Sequence, residues 1–154
     1  MAPQIVGWRS SDYGCDPQYG QTTVGRAACQ GPGADGGSGT VPASYWVNVA
    51  KGMQLQFPGS APGGVYTIGY IGNAIDTVMP GELSTTLSGM SSVSFDAVGN
   101  QANPDTMFTA FDNAGMQVLI GIEPGNADIN QLATKVLGKY KSHECIVGMS
   151  LDCE

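Results

Sequence analysis

Cys145-Ile146-Val147-Gly148-Met149-Ser150-Leu151-Asp152-Cys153-Glu154 is an apolar run that turns acidic, and it follows directly on a helical stripe. In that stripe Ile129, Leu132, Ala133, Val136, Leu137 and Tyr140 recur at offsets 0, 3, 4, 7, 8 and 11, one face of an α-helix. Asp128 stands at its first turn and Lys139 and Lys141 near its end, the charge order that a helix dipole favours. A second apolar run, Val118-Leu119-Ile120-Gly121-Ile122, precedes the helix, so the unit reads strand–helix–strand. Two further runs share the pattern: Ile5-Val6-Gly7-Trp8 and Thr67-Ile68-Gly69-Tyr70. Continuous apolar runs of this kind suit parallel strands buried on both faces. A glycine in mid-strand weakens a strand, so its recurrence points to close packing there.

Helical patterns fill the other intervals. From Ser44, a good N-cap, Trp46, Val49, Ala50, Met53 and Phe57 fall at helical spacing. Asn103 caps a further helix with Pro104 at its first position; Met107, Phe108 and Phe111 form its stripe and Gly115 ends it. The order β–α–β–α–β–α–β predicts an α/β fold, one domain over residues 1–154, with long loops at 12–42 and 72–102. The glycine-rich stretch Gly31–Gly39 lacks a following Lys-Ser/Thr and is read as surface, not as a phosphate-binding loop. Four strands do not close a barrel, which takes about eight strands and roughly 250 residues. The pattern fits half of a (β/α)-barrel, completed by further chain or by a second copy, or an open doubly wound sheet.

Only 12% of residues are charged, Gly is 23 of 154, and the net charge is −7. An acidic chain lacks the clustered Lys and Arg that phosphate contacts need, which argues against nucleic acid. The apolar runs fall far short of the roughly 20 residues that span a bilayer, so no membrane association is expected. The polar, uncharged composition predicts a secreted protein, with any signal peptide already removed. There is no C-x₂-C and the chain has 1 histidine, so neither a metal nor another cofactor is expected. Cys145 and Cys153 on one strand would stand about 26 Å apart, too far to bridge. Cys15 and Cys29, flanking a Gly-, Gln- and Thr-rich loop, are the candidate disulfide, the alternative being free thiols.

Alternation places Gly148, Ser150, Asp152 and Glu154 on one face of their strand, with neighbouring carboxylates roughly 6.5–7 Å apart. Paired acids at a strand end suit acid–base and glycosidic chemistry; the alternative is a solvated acidic tail. Glu123 shares the face of Gly121. If Gly121 and Gly148 both point inward, Glu123 and Glu154 face one cavity from adjacent strands and would supply the two catalytic carboxylates of a retaining or inverting glycosidase; otherwise Glu123 is a helix-dipole partner near Asn126. Arg9, two residues after Gly7, is positioned to pair with an acid in that interior. Trp8 and Tyr70, at strand ends, are candidate sugar-stacking platforms or else core, whereas Trp46 lies on a helical stripe and reads as core. His143, in a Lys-Ser-His-Glu turn, reads as a solvated loop residue.

At the strand ends the sequence resembles the glycoside hydrolase family 18 barrels, the chitinase and endo-β-N-acetylglucosaminidase group, whose fourth strand carries D-x-x-D-x-D-x-E. Here Val147-Gly148-Met149-Ser150-Leu151-Asp152-Cys153-Glu154 follows a helix that ends in Lys139-Tyr140. Asp152 and Glu154 match the last two acids, while Val147 and Ser150 stand where the first two are expected. Ile5–Trp8, Val65–Tyr70 and Val118–Ile122 look like the first three strands, with Glu123-Pro124 in place of the usual Gly-Gly. The resemblance implies the N-terminal half of a complete barrel acting on a β-linked oligo- or polysaccharide. It makes Glu154 the general acid and Asp152 its neighbour, which would hold the substrate's N-acetyl group, with Ser150 a hydrogen-bond donor. The departures at Val147 and Ser150 leave open a non-catalytic carbohydrate-binding or self-assembling protein on the same scaffold.

Overall fold

The computed structural model describes residues 5–9, 43–71, 75–95 and 103–151. Strands β1 (Ile5–Arg9), β2 (Ala61–Ile71), β3 (Thr77–Met79), β4 (Val93–Phe95), β5 (Gln117–Ile122) and β6 (Ile146–Leu151) alternate with helices α1 (Ala43–Gln54), α2 (Pro104–Asn113) and α3 (Ile129–Tyr140). The fold is α/β, with a six-stranded, mostly parallel sheet. β1, β2, β5 and β6 lie side by side in chain order, each pair parallel. That order contains no reversal among the described strands, whereas a doubly wound sheet reverses at its switch point.

The helices form where capping and periodicity place them. Asn103 Oδ1 accepts from the main-chain N–H of Asp105 at 2.9 Å and of Thr106, while Pro104 needs no partner at the first position. Gly115, with φ of +66°, follows the last turn of α2 in the left-handed conformation that glycine tolerates. Asp128 is the N-cap of α3, its Oδ1 accepting from Gln131 N at 3.0 Å. The stripe of α3 buries Leu132, Val136 and Tyr140, although Ile129 at its start remains exposed.

All three helices pack on one face of the sheet, and a chain of aromatic rings shows it. Trp8 of β1 meets Trp46 of α1 edge-on at 5.9 Å and Phe111 of α2 at 5.6 Å. Tyr66 of β2 meets Phe108 at 5.2 Å, and Phe108 meets Tyr140 of α3 at 5.0 Å. Val118, Ile120 and Ile122 of β5 complete this helix face and are buried. Edge-to-face rings add to what burial of their area contributes. On the far face Val65, Thr67, Leu119, Gly148 and Ser150 are half-buried.

Three expectations need correction. The span 72–102 holds secondary structure: β3 pairs antiparallel with the end of β2, a short 3₁₀ turn (Gly81–Leu83) follows, and β4 runs parallel to β3. Leu83 and Leu87 from this span are fully buried, so hydrophobic burial makes it part of the core. β2 starts at Ala61, because Ala61-Pro62-Gly63-Gly64 pairs with β1 despite its turn-like composition. Met53 and Phe57, at helical spacing with Trp46, are exposed, since α1 ends at Gln54 and Gly59 at φ +90° turns the chain away. The expected loop at 12–42 lies outside the described residues.

Candidate functional site

The strand ends at the C-terminal edge of the sheet carry the described candidate residues. Gly121 of β5 sits in register with Thr67 of β2 on one side and Ser150 of β6 on the other. A Cβ on Gly121 would meet Thr67 Oγ1 at 2.7 Å and Val65 Cγ1 at 2.8 Å, so only glycine fits beneath those side chains. Gly148 faces the same way, 3.2 Å from Leu119 Cδ2 by the same construction. Gly121 and Gly148 therefore share the far face, as the expectation for Glu123 required.

Tyr70 reaches that face through an irregularity. Thr67 pairs with Gly121 and Gly69 with Ile122, so one residue is inserted between them. The bulge turns Gly69 toward the helix face, where its Cβ would meet Ile122 Cγ2. Alternation then returns Tyr70 to the far face, beside Glu123; without the bulge it would share the helix face of Tyr66 and Ile68.

Glu123 is bound to β2 twice. Its main-chain N–H donates to Gly69 O at 3.0 Å, and its Oε2 accepts from Ile71 N at 2.7 Å. The turn that follows is tied down too: Asn126 N donates to Ile75 O at 2.9 Å, and Gly125 forms an antiparallel bridge with Asp76. Gly125 has φ +51° and approaches the Ile75 carbonyl so closely that a side chain would collide. Thus the Glu123 side chain leans toward β2 from a half-buried position.

The other sequence candidates separate. Trp8 lies on the helix face, 8% exposed, with its indole N–H donating to Trp46 O at 2.9 Å. The position rules it out as a platform on the far face. Arg9 pairs through its backbone with Val65, and only its backbone is described. Asp152, Glu154, Cys15 and Cys29 lie outside the described residues. Val147 falls at a register shift, between Ile146 opposite Val118 and Gly148 opposite Leu119, and is exposed.

At the opposite, N-terminal edge of the sheet is a polar cluster centred on His143, which is only 13% exposed in its side chain and not a solvated loop residue. Its Nδ1 lies 2.7 Å from Asp112 Oδ2 and its Nε2 3.2 Å from Asp105 Oδ1. Lys139 Nζ donates to Asp105 Oδ2 at 3.0 Å, and Asp112 Oδ1 accepts from Cys145 N at 2.7 Å. Burial pushes both aspartates up, but hydrogen bonds outweigh it and hold each carboxyl below its ordinary value: Lys139 and His143 act on Asp105, Cys145 and His143 on Asp112. Cys145 is a buried free thiol whose pKa is raised, chiefly by burial and next by Asp112, the opposite of an activated nucleophile. The cluster escaped the local reading because its carboxylates lie 31 and 38 residues before the histidine. The available signal was the seven-residue spacing of Asp105 and Asp112, two turns on one helix face.

Tyr140 and Glu82 form a second buried contact, the phenol donating to Glu82 Oε1 at 2.7 Å. Burial and then this acceptor raise the tyrosine's pKa, so the hydroxyl stays a donor. Among the described residues, no group of three or more His, Cys, Asp or Glu side chains is arranged to hold a metal ion, and no helix is long and apolar enough to cross a membrane. No protein-family model, curated protein or solved structure matches the chain.

Proposed function

We propose that the chain is a secreted carbohydrate-active domain, the N-terminal half of a (β/α)-barrel, with its site at the C-terminal ends of β2, β5 and β6. The proposal rests on the neighbouring ends of β2, β5 and β6, where alternation past the last paired residues would put Tyr70 and Glu123 on the face of Ser150. Parallel strands in chain order with helices on one face support the barrel reading. A phenol, a carboxylate and two hydroxyls along one half-buried edge suit a ligand rich in hydroxyl groups.

Glycoside hydrolysis is the preferred activity. By the alternation of the sequence, Asp152 and Glu154 continue the face of Ser150. Glu154 would protonate the glycosidic oxygen as general acid, and Asp152 would hold the group that attacks the anomeric carbon. The substrate would be a β-linked oligo- or polysaccharide, with no cofactor needed for this chemistry. The missing half of the sheet would come from further chain or from a second copy.

A non-catalytic glycan-binding or self-assembling protein is the second reading. Two observations favour it: Glu123 gives Oε2 to Ile71, and Val147, matching the first acid of the family signature, sits at an exposed register shift. Chromogenic chitobioside and cellobioside panels, run on the parent and on Glu154→Gln, separate the two. The enzyme reading expects turnover by the parent and a loss of at least about a hundredfold in the variant. Equal inertness with retained oligosaccharide binding would leave only the second reading.

A further inference from the structure

We infer that Glu123 is a positioning residue whose carboxylate replaces its own main-chain carbonyl in the β2–β5 ladder and so fixes the rim around Tyr70. In a parallel pair, a residue that donates its N–H to one position of the neighbour accepts, through its carbonyl, from the N–H two positions further on. Glu123 makes the first of these bonds to Gly69 O at 3.0 Å. The second, from Ile71 N, arrives at Oε2 of the side chain, at 2.7 Å. The main chain has by then departed: Pro124 follows, buried, and Gly125 takes φ +51°. A straight strand would spend its carbonyl on Ile71; here the side chain makes that bond while the backbone turns.

The consequence is local rigidity where a sheet normally frays. Tyr70 and Ile71 run past the last paired residue of β5 and on their other edge pair with the three-residue strand β3, through Val78 and Thr77. One side of this extension is therefore held by β3 and the other by Glu123. The contacts of Asn126 with Ile75 and of Gly125 with Asp76 close the same junction from below. Glutamate supplies the reach, since Oε2 must span from the strand end to an amide on the neighbouring strand. Asparagine or aspartate, one methylene shorter, would fall short of it.

That this rim contacts a glycan rests on the function proposed above; the replacement of the carbonyl does not. The test measures amide exchange at Ile71, with Ile120 in the core as reference, in the full chain and in Glu123→Gln and Glu123→Ala. Binding of chitotetraose and cellotetraose and turnover of the chromogenic substrates are measured on the same samples. Glutamine keeps an oxygen acceptor, so Ile71 should remain protected in Glu123→Gln and exchange about ten- to a hundredfold faster in Glu123→Ala, with Ile120 unchanged. Glycan affinity and turnover should fall further in Glu123→Ala than in Glu123→Gln, by about tenfold or more. Unchanged exchange at Ile71 in Glu123→Ala overturns the inference. So does a Glu123→Gln variant with protected Ile71 but no more turnover than Glu123→Ala, because the carboxylate would then be taking part in the chemistry. If exchange follows the expected order and no variant binds or cleaves a glycan, the positioning role stands and the proposed function falls.

Discussion

The two ends of the sheet both use carboxylates, but for opposite purposes. At the N-terminal edge, Asp105 and Asp112 of α2 gather a histidine, a lysine and a main-chain N–H from α3 and the entry to β6. Polar groups from α2, from α3 and from the turn into β6 meet in one cluster, which ties helices to sheet. At the C-terminal edge, the Glu123 carboxylate accepts from the neighbouring strand, and hydroxyl groups lie along the half-buried far face. One edge spends its polar groups on holding the fold. The other carries polar groups at the rim where the proposed ligand would sit.

The contrast breaks most directly in the aromatic layer that both edges depend on. Phe108→Ala removes a fully buried ring between Tyr66 and Tyr140 and should cost about 3–5 kcal/mol, read as a lowered urea midpoint. Ser150→Ala on the far face should stay within about 0.5 kcal/mol in the same titration. A comparable loss from both would erase the distinction between the helix-covered face and the far face.

The cluster at the N-terminal edge comes next. Asp112→Ala strips the acceptor from the buried Cys145 N–H and from His143, and should cost about 1–3 kcal/mol. Thermal unfolding of Asp112→Ala and Glu123→Ala side by side compares the edges, with the larger fall in Tm expected for Asp112.

Acid sharpens the same point. Asp105 and Asp112 titrate below their ordinary value in the fold, so their ionised forms stabilise the folded state above an unfolded pKa of about 3.9. That stability is lost as pH falls through the lower, folded values. Urea midpoints should therefore drop from about pH 4 downward, less steeply in Asp105→Asn plus Asp112→Asn than in the parent. Parallel curves for the two proteins would show that the cluster adds nothing to acid stability.

The smallest effect is that of Lys139→Met. Its partner Asp105 is 43% exposed, and such pairs contribute roughly 0.2–1 kcal/mol, declining with salt. Titrations at low and high ionic strength check it, and the difference between Lys139→Met and the parent should shrink as salt is added.

Much of the scaffold was legible from residue order. Asn103-Pro104 and the stripe from Leu132 to Tyr140 declare their helices because capping and period are local properties. The parallel strands declare themselves by unbroken apolar runs. β3 and β4 do not, since three residues each hold no period; their burial comes from tertiary packing. The first half of β2 was hidden by Pro62-Gly63-Gly64, a composition that reads as a turn until β1 and β5 flank it.

The site was legible only in part. Alternation assigns Glu123 to the face of Gly121, yet the same rule separates Trp8 from its neighbour Arg9, and that step places Trp8 on the opposite face. Tyr70 depended on a bulge, which single-residue patterns do not announce. His143 depended on partners more than 30 residues away. Contacts of that range belong to the folded chain, and no local window contains them.

The chain has 2 tryptophans, and they stand 5.9 Å apart, one on β1 and one on α1. Nearly all intrinsic indole fluorescence therefore originates at a single junction. Residues 10–42 separate the two elements in the chain. The optical signal is thus a built-in gauge of one event, the closing of that long connection, and is blind to the docking of α3 and β6. A stopped-flow trace followed by tryptophan emission would time the first strand alone, and a second probe near Tyr140 would be needed to time the rest.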